Sequence, residues 1–368
     1  MKILHLIDSG GLYGAEQMLL ALTEEQLKQG LDPIILSCGL PNEADKPLEI
    51  EAEKRNIPVV KWRMKAGLNF QGAWKILKLA KKEKVDILHS HGYKFNILFA
   101  IFPKFARKIP FITTVHGYVK AKVFSKMWLY EVLDRVALKN IDFVIVVSKR
   151  MTQHKVFQSL NKSKFQVIQN GIASLPKEPS YNGLANPEKL KLMAVGRLSP
   201  EKGFNYLIEA IKSLTDDNIE IELTLFGDGG LKNELIELVK SNHVSEQVIF
   251  AGFTKNVAAQ MHKYDLLVMP SLTEGIPITL LEALRAKIPV CASDVGGIPE
   301  VLGTEYPLLF SSGESEAITQ AIKLFLTSRV ECHKQSVENN YQRFEEMFSV
   351  VKMQKKYRRV YNTLVILA

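Results

Sequence analysis

The stretch KLMAVGRLSPEKG, residues 191–203, decides the fold. A short apolar run, Leu192 to Val195, meets Gly196; a polar loop with Pro200 follows, and Gly203 opens a helical pattern. This is the start of a βα unit. Its position gives it weight, because it follows GIASLPKEPSYNGLANPEK (171–189), whose three prolines and two glycines read as a linker. The βα rhythm therefore begins a second time.

Upstream, strand candidates are KILHLI (2–7), PIILSC (33–38), PVVKW (58–62), DILHSH (86–91), FITTVH (111–116), DFVIVVS (142–148) and FQVIQN (165–170). Helical stretches such as Ala15–Gln29, Gly72–Glu83 and Lys126–Lys139 separate them. Downstream, IELTLFG (221–227), VIFAGF (248–253), LLVMPS (266–271), PVCAS (289–293) and PLLF (307–310) continue the series. The pattern predicts two doubly wound α/β domains, each a parallel sheet covered by helices on both faces. The domains read as 1–175 and 187–349, with a helical tail over 350–368 that carries basic and aromatic residues.

The chain's 368 residues suffice for two full cores, and 46% apolar with 24% charged residues is ordinary for a globular protein. Cys38, Cys291 and Cys332 have no metal-type spacing and read as reduced, buried thiols of a cytosolic protein. The opening MKILHLIDSGG reads as strand and turn rather than a signal peptide, and the longest apolar run of note, Ile97 to Phe102, is six residues. Charge is uneven: residues 1–186 carry a net +12 and residues 187–368 a net −3. That basic half reads either as a solvated surface or as one that meets something anionic.

Open α/β sheets bind ligands beyond the carboxyl ends of their strands, so motifs just after strands matter most. In SLTEGIPITLLEALRAK (271–287), Pro277 fits a first helical turn, Glu274 precedes the helix, and Glu282 lies one to two turns inside it. The open N–H groups of such a turn attract phosphate, leaving one carboxylate for a sugar and the other for a ribose diol. Leu280, Leu281 and Leu284 make the helix mostly core-facing, so an acid at 282 needs a partner. In VGRLSPEKG (195–203), Arg197 offers a planar fork and Lys202 a mobile charge, and both can converge on one pyrophosphate.

DSGGLYGAE (8–16) follows the first strand. A dinucleotide fingerprint would place glycine where Ser9 stands and close the second strand with an acid, but that strand ends at Cys38. A tight turn, or a glycine loop through Gly11 and Gly14 that touches donor or acceptor, remains. In TTVHGY (113–118), His116 reads as a core residue or, from its strand-end position, as a contact to a sugar hydroxyl. His89 and His91 read as cleft-lining, with no carboxylate at metal-ligand spacing. LFGDGG (225–230) and ASDVGGIPE (292–300) read as ordinary turns or as room for base and phosphate.

In order, GGLYGAE, VHG, VVSK, NGI, VGRLSPEKG, LFGDG, EGIPITLLEAL and SDVGGIPEVL resemble the retaining GT-B glycosyltransferases of family 4 over nearly the whole chain. The resemblance implies two facing Rossmann-like domains with a cleft between them, the first for the acceptor and the second for a nucleotide-sugar donor. It implies that Arg197 and Lys202 hold the pyrophosphate, that Glu282 bonds the ribose, and that Glu274 and His116 act on the transferred sugar as the catalytic residues. Gly11, Gly14, Gly227, Gly275 and Ile278 are implied donor contacts, and the tail 350–368 is implied to cross back to the first domain. Asn170 and Gly171 fit the family's turn, but Ile172 is followed by Ala173 where an acid is usual.

The same resemblance implies a metal-independent reaction with no cofactor beyond the donor, and no Asp-x-Asp pair is present. No carboxylate reads as an enzyme nucleophile, so front-side attack is expected. The expected acceptor is a glycan, lipid-linked, in polysaccharide or glycolipid synthesis. KFNILFAIFPKFARK (94–108) and KAKVFSKMWLYEVLDRVALK (120–139) read as core-facing helices or as a basic, aromatic surface for an anionic membrane. The expected place is the cytoplasm, either free or on the inner face of the cell membrane. No nucleic-acid module is recognisable. A nucleotide-sugar epimerase would need more acid/base residues around the sugar, and a non-catalytic binder has no need of Glu274, Glu282, Arg197 and Lys202.

Overall fold

The computed structural model describes residues 1–8, 10–117, 125–175, 179–181, 183, 189–254 and 257–366. Tyr118, residues 120–124 of the second basic stretch, and residues 176–178, 182 and 184–188 of the linker stretch lie outside the described residues. The chain divides into two units, Met1–Ala173 with Ser349–Ala368, and Ser174–Phe348.

The first unit is a seven-stranded parallel sheet of β1 (Lys2–Ile7), β2 (Asp32–Gly39), β3 (Val59–Arg63), β4 (Ile87–Ser90), β5 (Phe111–Val115), β6 (Phe143–Val146) and β7 (Phe165–Val167). Its order is β3-β2-β1-β4-β5-β6-β7, so the chain reverses its direction of travel between β1 and β4. Strand periodicity sends Leu4 and Leu6 of β1 to one face, where they pack with Ile76 and Leu77 of the helix Phe70–Lys82 and Phe95 of the helix Tyr93–Ala100. Ile7 faces the other way, against Leu19 and Leu20 of the helix Gly14–Lys28. A central strand buried on both faces explains why KILHLI is a nearly unbroken apolar run.

His5 interrupts that run and is fully buried. It lies in register with His89 of β4. The C-terminal helix Val350–Ile366 supplies their polar surroundings: Tyr361 Oη lies 2.9 Å from His89 Nδ1, and Tyr357 Oη lies 2.9 Å from Thr114 Oγ1 of β5. This helix enters the unit through a parallel bridge between Ile172 and Ser349, where Val350 N donates to Ile172 O at 2.9 Å. Gly171 N points to Met353 Sδ at 3.2 Å beside it.

Of the two basic, aromatic stretches, the first is largely core. Phe95, Leu98 and Phe99 are fully buried, and Arg107 is sealed in with Asp142 at 2.6 Å and the carbonyl of Phe102 at 2.9 Å. Only Ile101 and Phe105 remain as exposed large apolar residues there. In the helix Lys126–Asn140, Met127, Leu129 and Val136 are exposed. No helix among the described residues is long and apolar enough to cross a membrane. Cys38 and Cys291 are buried, but Cys332 is exposed, which corrects the expectation of three buried thiols: it lies in the first turn of the helix Val330–Arg343, on its outer side.

The second unit is a six-stranded parallel sheet of β8 (Leu190–Val195), β9 (Ile221–Phe226), β10 (Val248–Gly252), β11 (Leu266–Met269), β12 (Val290–Ser293) and β13 (Leu309–Phe310), ordered β10-β9-β8-β11-β12-β13. Its core joins Leu192 and Ala194 of β8 to Leu207, Ile208 and Ile211 of the helix Phe204–Asp216, which the Gly203 start had marked.

The histidine core makes the first unit acid-sensitive. Burial lowers the His5 pKa to about 4 and holds His89 and His91 well below the ordinary imidazole value. In the unfolded chain the same rings take up protons below about pH 6.5. The unfolded state therefore binds protons first, so stability is intact above about pH 6.5 and is lost as the pH falls towards about 4. Urea unfolding at about pH 7.5, 6 and 5 is expected to show a falling midpoint; a midpoint constant over that range would rule out a neutral histidine core.

Candidate functional site

The strand order of the second unit puts the loop after β8 between the loops after β9 and β11. All three interlock through backbone. Leu198 N donates to Asp228 O at 3.0 Å, and Leu272 N donates to Glu201 O at 2.9 Å. The approach on the β9 side requires glycine: Gly227 has φ +139°, and a Cβ there would stand 1.8 Å from Gly196 O. The loop after β12 closes the row. Gly297 N donates to Gly275 O at 2.8 Å, and a Cβ on Gly296, at φ +54°, would stand 1.8 Å from Glu274 O.

This row brings Lys202 and Glu274, 72 positions apart, into contact. Lys202 Nζ lies 2.5 Å from Glu274 Oε1, and Ser271 Oγ donates to the same oxygen at 2.8 Å. The Lys202 stem runs across Gly196, where a Cβ would meet Cδ at 3.3 Å. Ser271 was not among the candidates; its signal is only its place two residues past β11 and three before Glu274.

Arg197 is more exposed and is held within its own loop, by Glu201 Oε1 at 2.5 Å and by Ser199 Oγ at 3.4 Å. Pro277 stands one place earlier than a first-turn residue. It is extended, with ψ 131°, and its carbonyl accepts from Leu280 and Leu281 as the cap of the helix Ile278–Arg285. Gly275 stands two places before it, and Ile278, which follows it, is the first helical residue. Glu282 sits on the second turn, half-buried; burial raises its carboxyl pKa and the Arg285 guanidinium opposes the rise.

Gly11, Gly14 and His116 belong to the first unit, and Arg197, Lys202, Gly227, Glu274, Gly275, Ile278 and Glu282 to the second. Gly14 opens the helix Gly14–Lys28, and the ring of Tyr13 lies over Gly11, 2.3 Å from where a Cβ would be. Glu16 Oε2 accepts from Tyr13 N at 2.8 Å, which closes this helix start. Beside it, Asp8 pairs with Lys94 at 2.8 Å and with the buried Lys46 at 3.5 Å.

His116 is half-buried just past β5, and burial lowers its pKa to about 4. Its Nε2 lies 3.2 Å from His91 Nδ1, and its own Nδ1 is buried with no partner among the described residues. His89 is fully buried and His91 is 6% exposed, so neither lines an open surface, contrary to the cleft-lining expectation: the tyrosines of the C-terminal helix and the rings of His5 and His116 cover them. His5, His89 and His91 bring ring nitrogens within 4.8 Å of one another. Every one of those nitrogens already has a hydrogen-bond partner, as a neutral polar core requires. His5 escaped the sequence reading because only strand register places it beside His89.

Residues 13–174 match the family model described as Glycosyltransferase Family 4, and residues 180–343 match Glycosyl transferases group 1. The chain is 28% identical over 259 residues to UDP-Gal:alpha-D-GlcNAc-diphosphoundecaprenol alpha-1,3-galactosyltransferase of Escherichia coli, covering 66% of this chain and 65% of that one, just short of two thirds of its length. It is 27% identical over 305 residues to N-acetyl-alpha-D-glucosaminyl L-malate synthase of Bacillus anthracis, covering 78% and 77%. It is 31% identical over 298 residues to an uncharacterized glycosyltransferase of Methanocaldococcus jannaschii, covering 79% and 80%. Among solved structures, Anabaena HepE in complex with UDP aligns at TM-score 0.80 with 20% identity over 99% of this chain and 100% of that one, a likeness of fold. The paired Rossmann-like sheets are those of the GT-B glycosyltransferases, and the chain belongs to glycosyltransferase family 4.

Proposed function

We propose that this glycosyltransferase moves a hexose-type sugar from a nucleoside-diphosphate donor to a glycan acceptor, lipid-linked, in cell-surface glycan synthesis, with retention of configuration and without a metal. The observation that carries this reading is the Lys202–Glu274 pair at the head of the helix Ile278–Arg285. Lys202 and Ser271 both hold Oε1 of Glu274, which leaves Oε2 to accept from a hydroxyl of the transferred sugar. Lys202 and Arg197 then neutralise the diphosphate, helped by the open N–H groups of the first helical turn. Glu282 bonds the ribose, Gly227, Gly275 and Ile278 line the donor, and His116, Gly11 and Gly14 serve the sugar and phosphate end. UDP is the first nucleotide to test, because the E. coli relative is named for UDP-Gal and HepE is seen with UDP.

In the proposed reaction the bond from the anomeric carbon to the phosphate oxygen breaks, and a bond to the acceptor oxygen forms on the same face. The acceptor hydroxyl gives its proton to the departing phosphate oxygen, so the products are the glycoside and the nucleoside diphosphate. No enzyme nucleophile takes part. The protein's share is electrostatic: cations gather charge at the leaving group, and Glu274 orients the sugar.

The E. coli relative's name specifies an alpha-D-GlcNAc-diphosphoundecaprenol acceptor, and a lipid-linked acceptor here would bring the protein to the inner face of the cell membrane. Exposed Ile101, Phe105, Met127 and Leu129, among the lysines of a first half with net charge +12, supply the chemistry for an anionic surface.

Three experiments test this reading. Glu274→Gln lowers turnover by about 10²- to 10³-fold while the melting temperature holds; full activity in that variant removes Glu274 from the site. In a thermal-shift panel of nucleoside diphosphates, UDP at about a hundredfold excess over Kd raises the melting temperature by on the order of 5 °C. Lys202→Met abolishes that rise, and a rise that survives the substitution takes Lys202 off the phosphates. In co-sedimentation with anionic liposomes the protein pellets at low salt and Phe105→Glu weakens it; a protein that stays in the supernatant at low salt contradicts membrane docking.

A further inference from the structure

Four side chains of the first unit form a single file of hydrogen bonds: Gln26, His5, His91 and His116. The direction of each bond can be followed from one end. Gln26 Nε2 donates to Tyr361 Oη at 3.4 Å, which turns its amide oxygen to His5 Nε2 at 3.0 Å. A carbonyl oxygen only accepts, so His5 carries its proton on Nε2. Burial keeps the ring neutral with a single proton, so His5 Nδ1 is bare and accepts from His91 Nε2 at 3.0 Å. His91, neutral for the same reason, has a bare Nδ1 that accepts from His116 Nε2 at 3.2 Å. The file therefore ends on His116 with its proton on Nε2 and a lone pair on Nδ1.

That last atom is buried and has no partner among the described residues. Its condition supports the same direction independently. Run backwards, the file would strand an N–H donor there, and an orphaned buried donor is rarer in folded proteins than an under-used acceptor. The remaining ring, His89, stands outside the file, because Tyr361 and Thr114 occupy both its nitrogens.

We propose that Gln26, acting through His5 and His91, fixes the tautomer of His116 and so presents Nδ1 of His116 as a hydrogen-bond acceptor for a substrate hydroxyl. Gln26, His5 and His91 are positioning residues; none of them needs to touch substrate. A contacted substrate position must then carry a donor, and replacing that hydroxyl by fluorine or a methoxy group loses the bond. The substrate half of this inference rests on the reading that His116 meets a sugar hydroxyl; the tautomer half does not.

The test is nitrogen NMR of the full-length protein, with the histidine rings labelled, near neutral pH and without substrate. The expected spectrum shows His116 protonated on Nε2 with a bare Nδ1. In Gln26→Met, which keeps volume and removes the amide oxygen, a population protonated on Nδ1 appears at His116. The wild-type spectrum alone can overturn the proposal, by showing the His116 proton on Nδ1, so the test does not depend on the variant folding. A Gln26→Met spectrum identical to wild type at His116 overturns it as well. Turnover in Gln26→Met is expected to fall about tenfold, as for one lost neutral hydrogen bond, with the nucleotide-induced thermal shift retained. A changed tautomer with unchanged turnover upholds the relay and removes His116 from the sugar.

Discussion

The ammonium of Lys202 reaches the carboxylate of Glu274 because parallel strands end at one edge of the sheet. With β8 between β9 and β11, the loops that leave these strands have nowhere to go except against one another. Backbone hydrogen bonds from Leu198 and Leu272 lock them, and Gly227 and Gly296 are where backbone passes backbone too closely for any side chain. A cation and an acid far apart in the chain thereby become a preformed pair. In the proposed reaction this pre-organisation is the protein's main contribution, since charges already in place need no rearrangement as the leaving group departs.

The first unit solves a different problem. A central parallel strand is covered on both faces and has no exposed side on which to place a polar residue. His5, His89 and Thr114 nonetheless stand on one buried face, and the structure satisfies them from above, with Tyr357 and Tyr361 of the C-terminal helix and with Gln26. Burial suppresses the charge on the imidazoles, and neutral rings can hand hydrogen bonds on in sequence. The helix Val350–Ile366 thus serves the first unit as part of its core, although the second unit lies between it and the rest of that unit in the chain.

The two arrangements share a logic. Each is assembled from segments far apart in the chain, each uses polar groups that would be costly alone, and each leaves an oxygen or nitrogen atom with spare capacity: Oε2 of Glu274 and Nδ1 of His116. In the proposed reaction both atoms meet sugar hydroxyls.

Read alone, the amino-acid sequence determined the strand positions, the parallel α/β class and the loops where chemistry gathers, because hydrophobic periodicity and glycine–proline punctuation are local properties. Glu274, Lys202 and Arg197 were visible for the same reason: each sits just past a strand in a loop with glycine. What only the tertiary structure decided was partnership. Arg197 turned to Glu201 and Lys202 to Glu274, the stretch 94–108 went mostly into the core, and His5 proved to be a neighbour of His91. Partnership depends on strand order and register, which are set by packing between segments distant in the chain, and no local pattern encodes which distant segment will arrive.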